Sequence, residues 1–310
     1  MDSTALRYFA AVARTGSVQA AGEVLHVAGS AISRQIAGLE AQLGIPLFER
    51  HARGMRLTHA GEILANHARR QELENERVSA DLQRLRGHET AVLRITAVEG
   101  TAQYAMPMAI ARLQRLRPGV HVKLSVLSSR LVTERVRSGD ADIGIAFSLA
   151  PQPEIRVLRR LNGAIMAFAS TDHAYAGRSS LTLKDLEKVP MFLMGTENTV
   201  RQLFDMACAH EGVAVKPVLE TTSSATIHQL VLTGAGLSVA SFLSMVKHVK
   251  NRGVVALPLA HPILEQRSIQ VQVLTGRRLP MIVEEFLQCL DEVISDIESF
   301  APGKTLRLPD

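Results

Sequence analysis

Leu6, Phe9, Val12 and Ala13 recur at helical spacing until Gly16. Ser17 then stands where a side-chain oxygen can accept a backbone N–H bond at the start of a second helix. That helix carries Ala20, Ala21, Val24 and Leu25, a small-residue face suited to close packing, and Val27-Ala28-Gly29 supplies a turn. Ile32, Ile36, Leu39 and Leu43 place the apolar side of a third helix on one face, leaving Ser30, Ser33, Arg34 and Gln35 pointing away. After Gly44-Ile45-Pro46, residues 47–58 read as two short extended runs about a glycine turn at Gly54. From about Ala60 to Gly87 there is no proline and only Gly61, while Ile63, Leu64, Leu73, Val78, Leu82 and Leu85 form an imperfect helical stripe. One long helix is predicted, with more apolar side than a small N-terminal domain can cover, so a partner chain is its natural mate.

Beyond Glu89 the pattern changes to alternating strands and helices. Strands are predicted at 92–98, 120–127, 142–147, 164–170, 191–194, 214–220, 237–241, 254–259 and 268–274, and helices at 104–116, 131–137, 200–211, 225–233 and 281–300. This is α/β architecture. Residues 301–310, rich in proline and polar groups, read as a loose tail.

Charge sharpens the picture of the N-terminal part. Residues 1–70 hold eight arginines against five acids and no lysine, the first lysine being Lys123. Arg50, Arg53 and Arg56 fall in the predicted hairpin, where guanidinium forks can pair with phosphate along a groove. Short donors and acceptors at Ser30, Ser33, Arg34 and Gln35 suit base edges and phosphates. The net charge of +5 fits a nucleic-acid partner. Arg69, Arg70, Arg77, Arg84 and Arg86 alternate with acids and read as a solvated helix face.

Residues 1 to about 65 resemble the winged helix-turn-helix of LysR-type transcriptional regulators, through AAGEVLHV, SRQIAGLEAQLGIPLFER and RLTHAG, and the resemblance extends over the whole chain. It implies an N-terminal all-α winged helix-turn-helix domain at 1–59 (motif about 17–37) and a linker helix at 60–88 that pairs two subunits. An α/β two-lobed effector domain resembling type 2 periplasmic binding proteins follows at 89–300, with lobe I at 91–162 and 266–300 and lobe II at 163–265. Expected DNA-binding residues are Ser17, Gln19, Gly29, Ser30, Ser33, Arg34, Gln35, Arg50, Arg53, Arg56 and Thr58. The family's third helix commonly opens with a serine cap followed by glutamine; Ala28 and Gly29 stand there instead. Loss of the cap costs about 0.5–2 kcal/mol unless Gly29 or Ser30 takes it over, and more of the readout falls to Ser30, Ser33 and Arg34. The implied partners are double-stranded DNA bearing an interrupted inverted repeat, a small-molecule effector, a second copy and, in a dimer of dimers, two more, with RNA polymerase access changed by promoter bending.

Effector contacts are expected where loops leave strand ends and helix N-termini present N–H groups. These are Glu99, Gly100 and Thr101; Ser128, Ser129 and Arg130; Phe147; Thr196 and Thr199; and Thr226. Many family members place Ser or Thr at the first loop and bind a small anion there, whereas Glu99-Gly100 suggests a ligand ammonium or pairing with Arg130. Caps or solvent contact at a strand end account for Glu99 equally well.

Other classes have less support. No long apolar run marks a membrane span, and MDSTALRYFAAVARTG lacks the basic start and apolar block of a secretory signal, so a cytoplasmic protein is expected. Cys208 and Cys289 lack neighbouring metal ligands and read as core thiols. No HExxH, nucleophile elbow or P-loop is present, so neither an enzyme, a metal nor a cofactor is expected. Gly234-Ala235-Gly236 follows a helix and enters a strand, the wrong order for a dinucleotide. A solute-binding protein without regulatory role would use the two-lobed part alone, with an export signal and no DNA-reading head.

Overall fold

The computed structural model describes residues 3–51, 54–85, 91–148, 150–265 and 267–301. Backbone contacts divide the chain into two compact units, Met1–Arg86 and Gly87–Asp310. The first contains α1 (Ser3–Thr15), α2 (Val18–Leu25), α3 (Gly29–Leu43), the antiparallel pair β1 (Phe48–His51) and β2 (Gly54–Leu57), and α4 (His59–Leu85). Its core joins Leu6, Phe9 and Val12 of α1, Ala21 of α2, Ile32, Ile36 and Leu39 of α3, Leu47 and Phe48 beside the hairpin, and Leu64 and Ala68 of α4. Phe9 and Phe48 meet at 5.1 Å between ring centroids, an attractive tilted pair. Glu40 fixes the entry to the hairpin, its carboxylate accepting the amides of Leu47 (2.7 Å) and Phe48 (3.2 Å).

Leu43 departs from the expected stripe. It is 42% exposed, because α3 ends there and Gly44, in the left-handed region, turns the chain away from the core. Along α4, Leu64 and Leu73 are buried, whereas Ile63, Val78 and Leu82 are 59%, 42% and 57% exposed. Residues 86–88 of the expected linker and 302–310 of the expected tail lie outside the described residues.

The second unit holds two five-stranded sheets. The first has the order β4-β3-β5-β12-β6, from β3 (Val92–Ala97), β4 (His121–Val126), β5 (Ile143–Phe147), β6 (Ile155–Asn162) and β12 (Ser268–Leu274). Its helices are α5 (Glu99–Ala102), α6 (Ala105–Leu116), α7 (Ser129–Arg137) and α13 (Met281–Glu298). The second has the order β11-β7-β10-β8-β9, from β7 (Ile165–Ser170), β8 (Met191–Met194), β9 (Pro217–Thr221), β10 (Leu237–Ser241) and β11 (Val254–Pro258). With it go α8 (Leu183–Leu186), α9 (Thr199–Glu211), α10 (Ser224–Leu232), α11 (Phe242–Lys250) and α12 (Pro262–Glu265). The chain crosses between the sheets twice, at 162–165 and at 258–268. The interior strands β5 and β7 are buried at every position, as largely apolar strands covered on both faces should be.

Besides the one-turn helices α5, α8 and α12, two longer elements are absent from the sequence pattern. β6 carries Arg156, Arg159 and Arg160, and its pairing with β12 shifts register between Val271 and Gln272, so no clean alternation marks it. α11 follows β10 directly, Ser241 ending one and Phe242 opening the other, with no turn residue between them. Arg117 grips Glu285 with two donors (2.7 and 3.0 Å), tying α6 to α13. Asp142, almost fully buried, accepts from the Arg94 amide (2.7 Å) and from the guanidinium groups of Arg94 (3.3 Å) and Arg277 (2.6 Å).

Gly54 locks the hairpin onto the α1–α2 turn. Its φ is +127°, a Cβ there would sit 2.5 Å from the Gly16 carbonyl oxygen, and the next amide, Met55, donates to that oxygen at 2.8 Å. Gly54→Ala should cost on the order of 1–3 kcal/mol locally and speed hydrogen exchange at the Met55 amide about tenfold. Unchanged exchange would mean the hairpin is held elsewhere.

Candidate nucleic-acid interface and ligand cavity

In the first unit, the buried row Ile32, Ile36 and Leu39 turns the opposite side of α3 outward. Ser30, Arg34 and Gln35 are exposed there and Ser33 is half-buried. Arg34 leans along the helix, its Nε 3.4 Å from the Ser30 carbonyl oxygen, with its guanidinium in solvent. At the start of α3, Ala28 is the N-cap and offers no side-chain bond, and neither Gly29 nor Ser30 replaces it. Gly29 has a packing role: a Cβ there would come within 3.3 Å of Val18 Cγ1. Gln19 and Gly29 line one shallow concavity at the α2–α3 turn.

Two expected contacts serve the fold directly. Ser17 caps α2 by accepting the Ala20 amide at 3.4 Å. Thr58 donates to the Pro46 carbonyl at 2.8 Å and accepts the Gly61 amide at 3.0 Å, joining the hairpin to α4. Arg56 is exposed on β2, opposite Glu49. Arg50 is described only as backbone of β1, and Arg53 lies outside the described residues.

In the second unit, a cavity of about 90 Å3 lies among the β3–α5 junction, the N-terminal ends of α9 and α10, β10, α11 and the start of β12. Glu99, Gly100 and Thr199 line it, as do Gln103, Asn198, Ser224, His228, Ser241, Ser244 and Arg267. Glu99 accepts the Ser224 hydroxyl and, at 3.5 Å, an amide hydrogen of Gln103, which also donates to Ser224. This triad bridges α5 and α10. His228 is buried against His248, ring centroids 5.3 Å apart. Burial, helped by the charge of His248, pushes its pKa down to about 4, so it is neutral at pH 7.

Arg267 forms the opposite wall. Only 5% exposed, it donates from Nη1 to the Gly163 carbonyl at 3.2 Å and stacks 4.6 Å from the Phe147 ring centre. Its Nε, and the hydroxyl oxygen of Ser241, are buried with no hydrogen-bond partner. Burial pulls the Arg267 pKa down to about 10, which leaves it cationic at pH 7.

The other expected effector residues do not line this cavity. Thr101 is buried and its hydroxyl turns back onto the Val98 carbonyl at 2.9 Å. Ser128 and Thr196 are exposed, Ser129 accepts the Phe147 amide at 3.3 Å, and Thr226 donates to Ser223 at 3.0 Å. Arg130 pairs with Glu134 at 2.8 Å, one helical turn on, so the expected Glu99–Arg130 pair is corrected to the Glu99–Ser224–Gln103 triad. Phe147 contributes through Arg267. Arg267 itself gave one faint signal in the sequence, a lone arginine immediately before a predicted strand.

Reactive chemistry is muted. Both cysteines are buried and unpaired, and burial raises the Cys208 thiol to about 11. Among the described residues no helix is long and apolar enough to cross a membrane.

Comparison with known proteins identifies the two units by family. Residues 3–62 match the bacterial regulatory helix-turn-helix protein, LysR family, and residues 86–295 match the LysR substrate binding domain. A probable RuBisCO transcriptional regulator of Porphyra purpurea is 28% identical, over 97% of this chain and 96% of its own. The uncharacterised HTH-type transcriptional regulator YybE of Bacillus subtilis is 26% identical over 93% and 97%. In fold, full-length OxyR from Pseudomonas aeruginosa aligns over 100% of this chain and 98% of its own with a TM-score of 0.68 at 21% identity. Full-length CbnR, solved with its target DNA, aligns over 94% and 100% with a TM-score of 0.53 at 20% identity. The second family model alone spans more than half the chain, over the unit that holds the cavity, and the first covers the exposed α3 and its hairpin. The chain therefore belongs to the LysR family, as a DNA-binding transcriptional regulator with an effector-binding domain, and is not an enzyme.

Proposed function

We propose that the chain reads an interrupted inverted repeat in cytoplasmic DNA as a dimer joined through α4, and that a small molecule in the second unit's cavity switches it. The observation that carries the DNA reading is the polar side of α3, where Ser30 and Arg34 stand in solvent opposite a buried apolar row and Gln35 is exposed at the edge of that row. With no side-chain cap at Ala28, the first amides of α3 add backbone donors for phosphate. Arg34 reads a base edge, with Ser33 and Gln35 beside it; the arginines of the hairpin follow the backbone. Ser17, Gln19, Gly29 and Thr58 position this surface, through the α2 cap, the α2–α3 turn and the tie from hairpin to α4.

Pairing through α4 rests on Ile63, Val78 and Leu82, exposed apolar side chains on a helix whose other outward positions are largely charged. A second copy would cover them. Two such dimers form a tetramer that bends the promoter and alters polymerase access. The exposed Leu116, Val126, Met206 and Val218 of the second unit offer apolar area for that contact.

Recovery of genomic fragments by the purified protein at near-physiological salt tests the DNA reading, with Arg34→Ala as control. An inverted repeat near a divergent promoter is expected from the wild type. Arg34→Ala should lose about 1–3 kcal/mol of discrimination between that site and random DNA. Arg56→Ala should instead weaken binding to all sequences and lower the salt slope by about 1. If both variants behave alike, this division of roles is wrong. Leu82→Glu should break the α4 contact and shift the sedimentation of the assembly towards smaller species; an unchanged profile would exclude α4 as the dimer contact.

A further inference from the structure

We infer that the end of the first sheet opposite the cavity is a second DNA-contacting surface, where arginines hold phosphates without reading bases. The inference goes beyond the α3 reading and requires only that the chain binds DNA. β3, β5 and β6 begin at this end and β12 finishes there. The chain therefore enters the second unit at this end, and β3 leads away from it towards Glu99.

Three backbone contacts gather the segments involved. The Ala141 amide donates to the Arg135 carbonyl at 3.0 Å, Arg137 Nε to the Pro153 carbonyl at 3.4 Å, and the Thr275 amide to the Glu154 carbonyl at 2.8 Å. The end of α7, the start of β6 and the exit from β12 are thereby brought together, and Arg94 joins them through Asp142. Residues 135–142, 153–156 and 275–278, with Arg94, hold six arginines, no lysine and three acids. Two of the acids are already engaged. Asp142 is spent on Arg94 and Arg277, a buried cluster that fixes the floor of the surface, and Asp140 accepts the Ser138 hydroxyl at 2.8 Å.

Arg135, Arg156 and Arg278 stand exposed at this end, and no carboxylate of the described residues lies within ion-pair distance of them. By contrast, Arg112, Arg117, Arg130, Arg159, Arg178 and Arg201, on other surfaces of the unit, each hold a carboxylate at 3.2 Å or closer. The negative C-terminal end of α7 accounts for Arg135 and Arg137. It has no bearing on Arg156, at the start of a strand, or on Arg278, beyond the end of another. Guanidinium forks not engaged by carboxylate are free to pair with phosphate, and like charges held side by side repel until an anion answers them. A run of phosphates supplies such anions at regular spacing. Contacts of this kind raise affinity for any sequence and position the duplex, while base readout stays with α3.

The test follows binding of the full-length protein, over a salt series, to a long duplex that carries the recovered repeat between random flanks. Arg156→Gln combined with Arg278→Gln should lower the slope of log affinity against log salt by about 2 for each subunit whose arginine end touches DNA. The ratio of affinities for repeat and random DNA should stay at the wild-type value. Arg112→Gln combined with Arg178→Gln removes the same charge from arginines that already hold carboxylates, and should leave the slope unchanged. Should the first pair of substitutions disturb folding, Arg135→Gln alone should lower the slope by about 1 per touching subunit. The inference falls if the two double variants share one slope, whether that of the wild type or a lower one. It falls also if the slope is unchanged while transcription by purified polymerase is lost, which would assign the surface to an acidic protein. Failure of the α3 reading looks different: the wild type then shows no preference for the repeat, and the slopes are compared on random DNA.

Discussion

The two crossings between the sheets of the second unit meet at Gly163 and Arg267, and the cavity exists because of how they are joined. The Gly163 amide donates to the Arg267 carbonyl at 2.9 Å, and the Arg267 side chain returns a bond to the Gly163 carbonyl at 3.2 Å. The outgoing crossing is tight at Gly163: a Cβ there would meet Ile269, Arg267 Nη1 and the Arg267 carbonyl at 3.1–3.3 Å, so a side chain would need these neighbours to give by a few tenths of an ångström. This close approach holds the two crossings side by side as one strap and forces the guanidinium inward over Phe147. On the other side of the cavity the Glu99–Ser224–Gln103 triad joins α5 to α10 through side chains alone. One attachment is backbone and the other is a set of exchangeable hydrogen bonds. The second is the one that rearranges without moving the backbone.

The first unit applies its polar groups differently. Glu40 and Thr58 satisfy backbone amides where the hairpin begins and ends, and Ser17 caps α2, so the scaffold's loose ends are answered by side chains. The start of α3 is left without such an answer at Ala28. An uncapped N-terminus weakens the isolated helix, but here Ile32, Ile36 and Leu39 hold α3 by burial, with relative exposures of 4% or less. Packing on one face makes it possible to keep donors open on the other.

Much of this was legible in the sequence where periodicity is clean. The first three helices, the hairpin, the long helix and the alternation beyond Glu89 all follow from spacing and turn residues. β6 escaped because three arginines and a register shift obscure its alternation, α11 because no punctuation separates it from β10, and Leu43 because a helix end abandons its stripe. For the cavity, the rule that ligands sit at strand ends found Glu99, Gly100 and Thr199. It failed for Thr101, Ser129 and Thr226, whose hydroxyls are taken up by their own neighbourhood. The residues it missed, Ser241, His228 and Arg267, are defined by burial and by the partners they lack. Neither property is written in local sequence; Arg267, for one, meets Gly163 from 104 positions away.

Charge in the cavity follows from the same burial. His228 is neutral at pH 7, because its apolar surroundings and the neighbouring imidazole both oppose protonation. Arginine alone among basic side chains keeps its proton under comparable burial, since even a pKa pulled down to about 10 lies well above neutral pH. Among the described residues lining the cavity, Arg267 is therefore the one fixed positive charge and Glu99 the one carboxylate, set on walls contributed by different segments. Burial thus leaves the cavity with one charge of each sign, carried by the residue before β12 and by the first residue of α5.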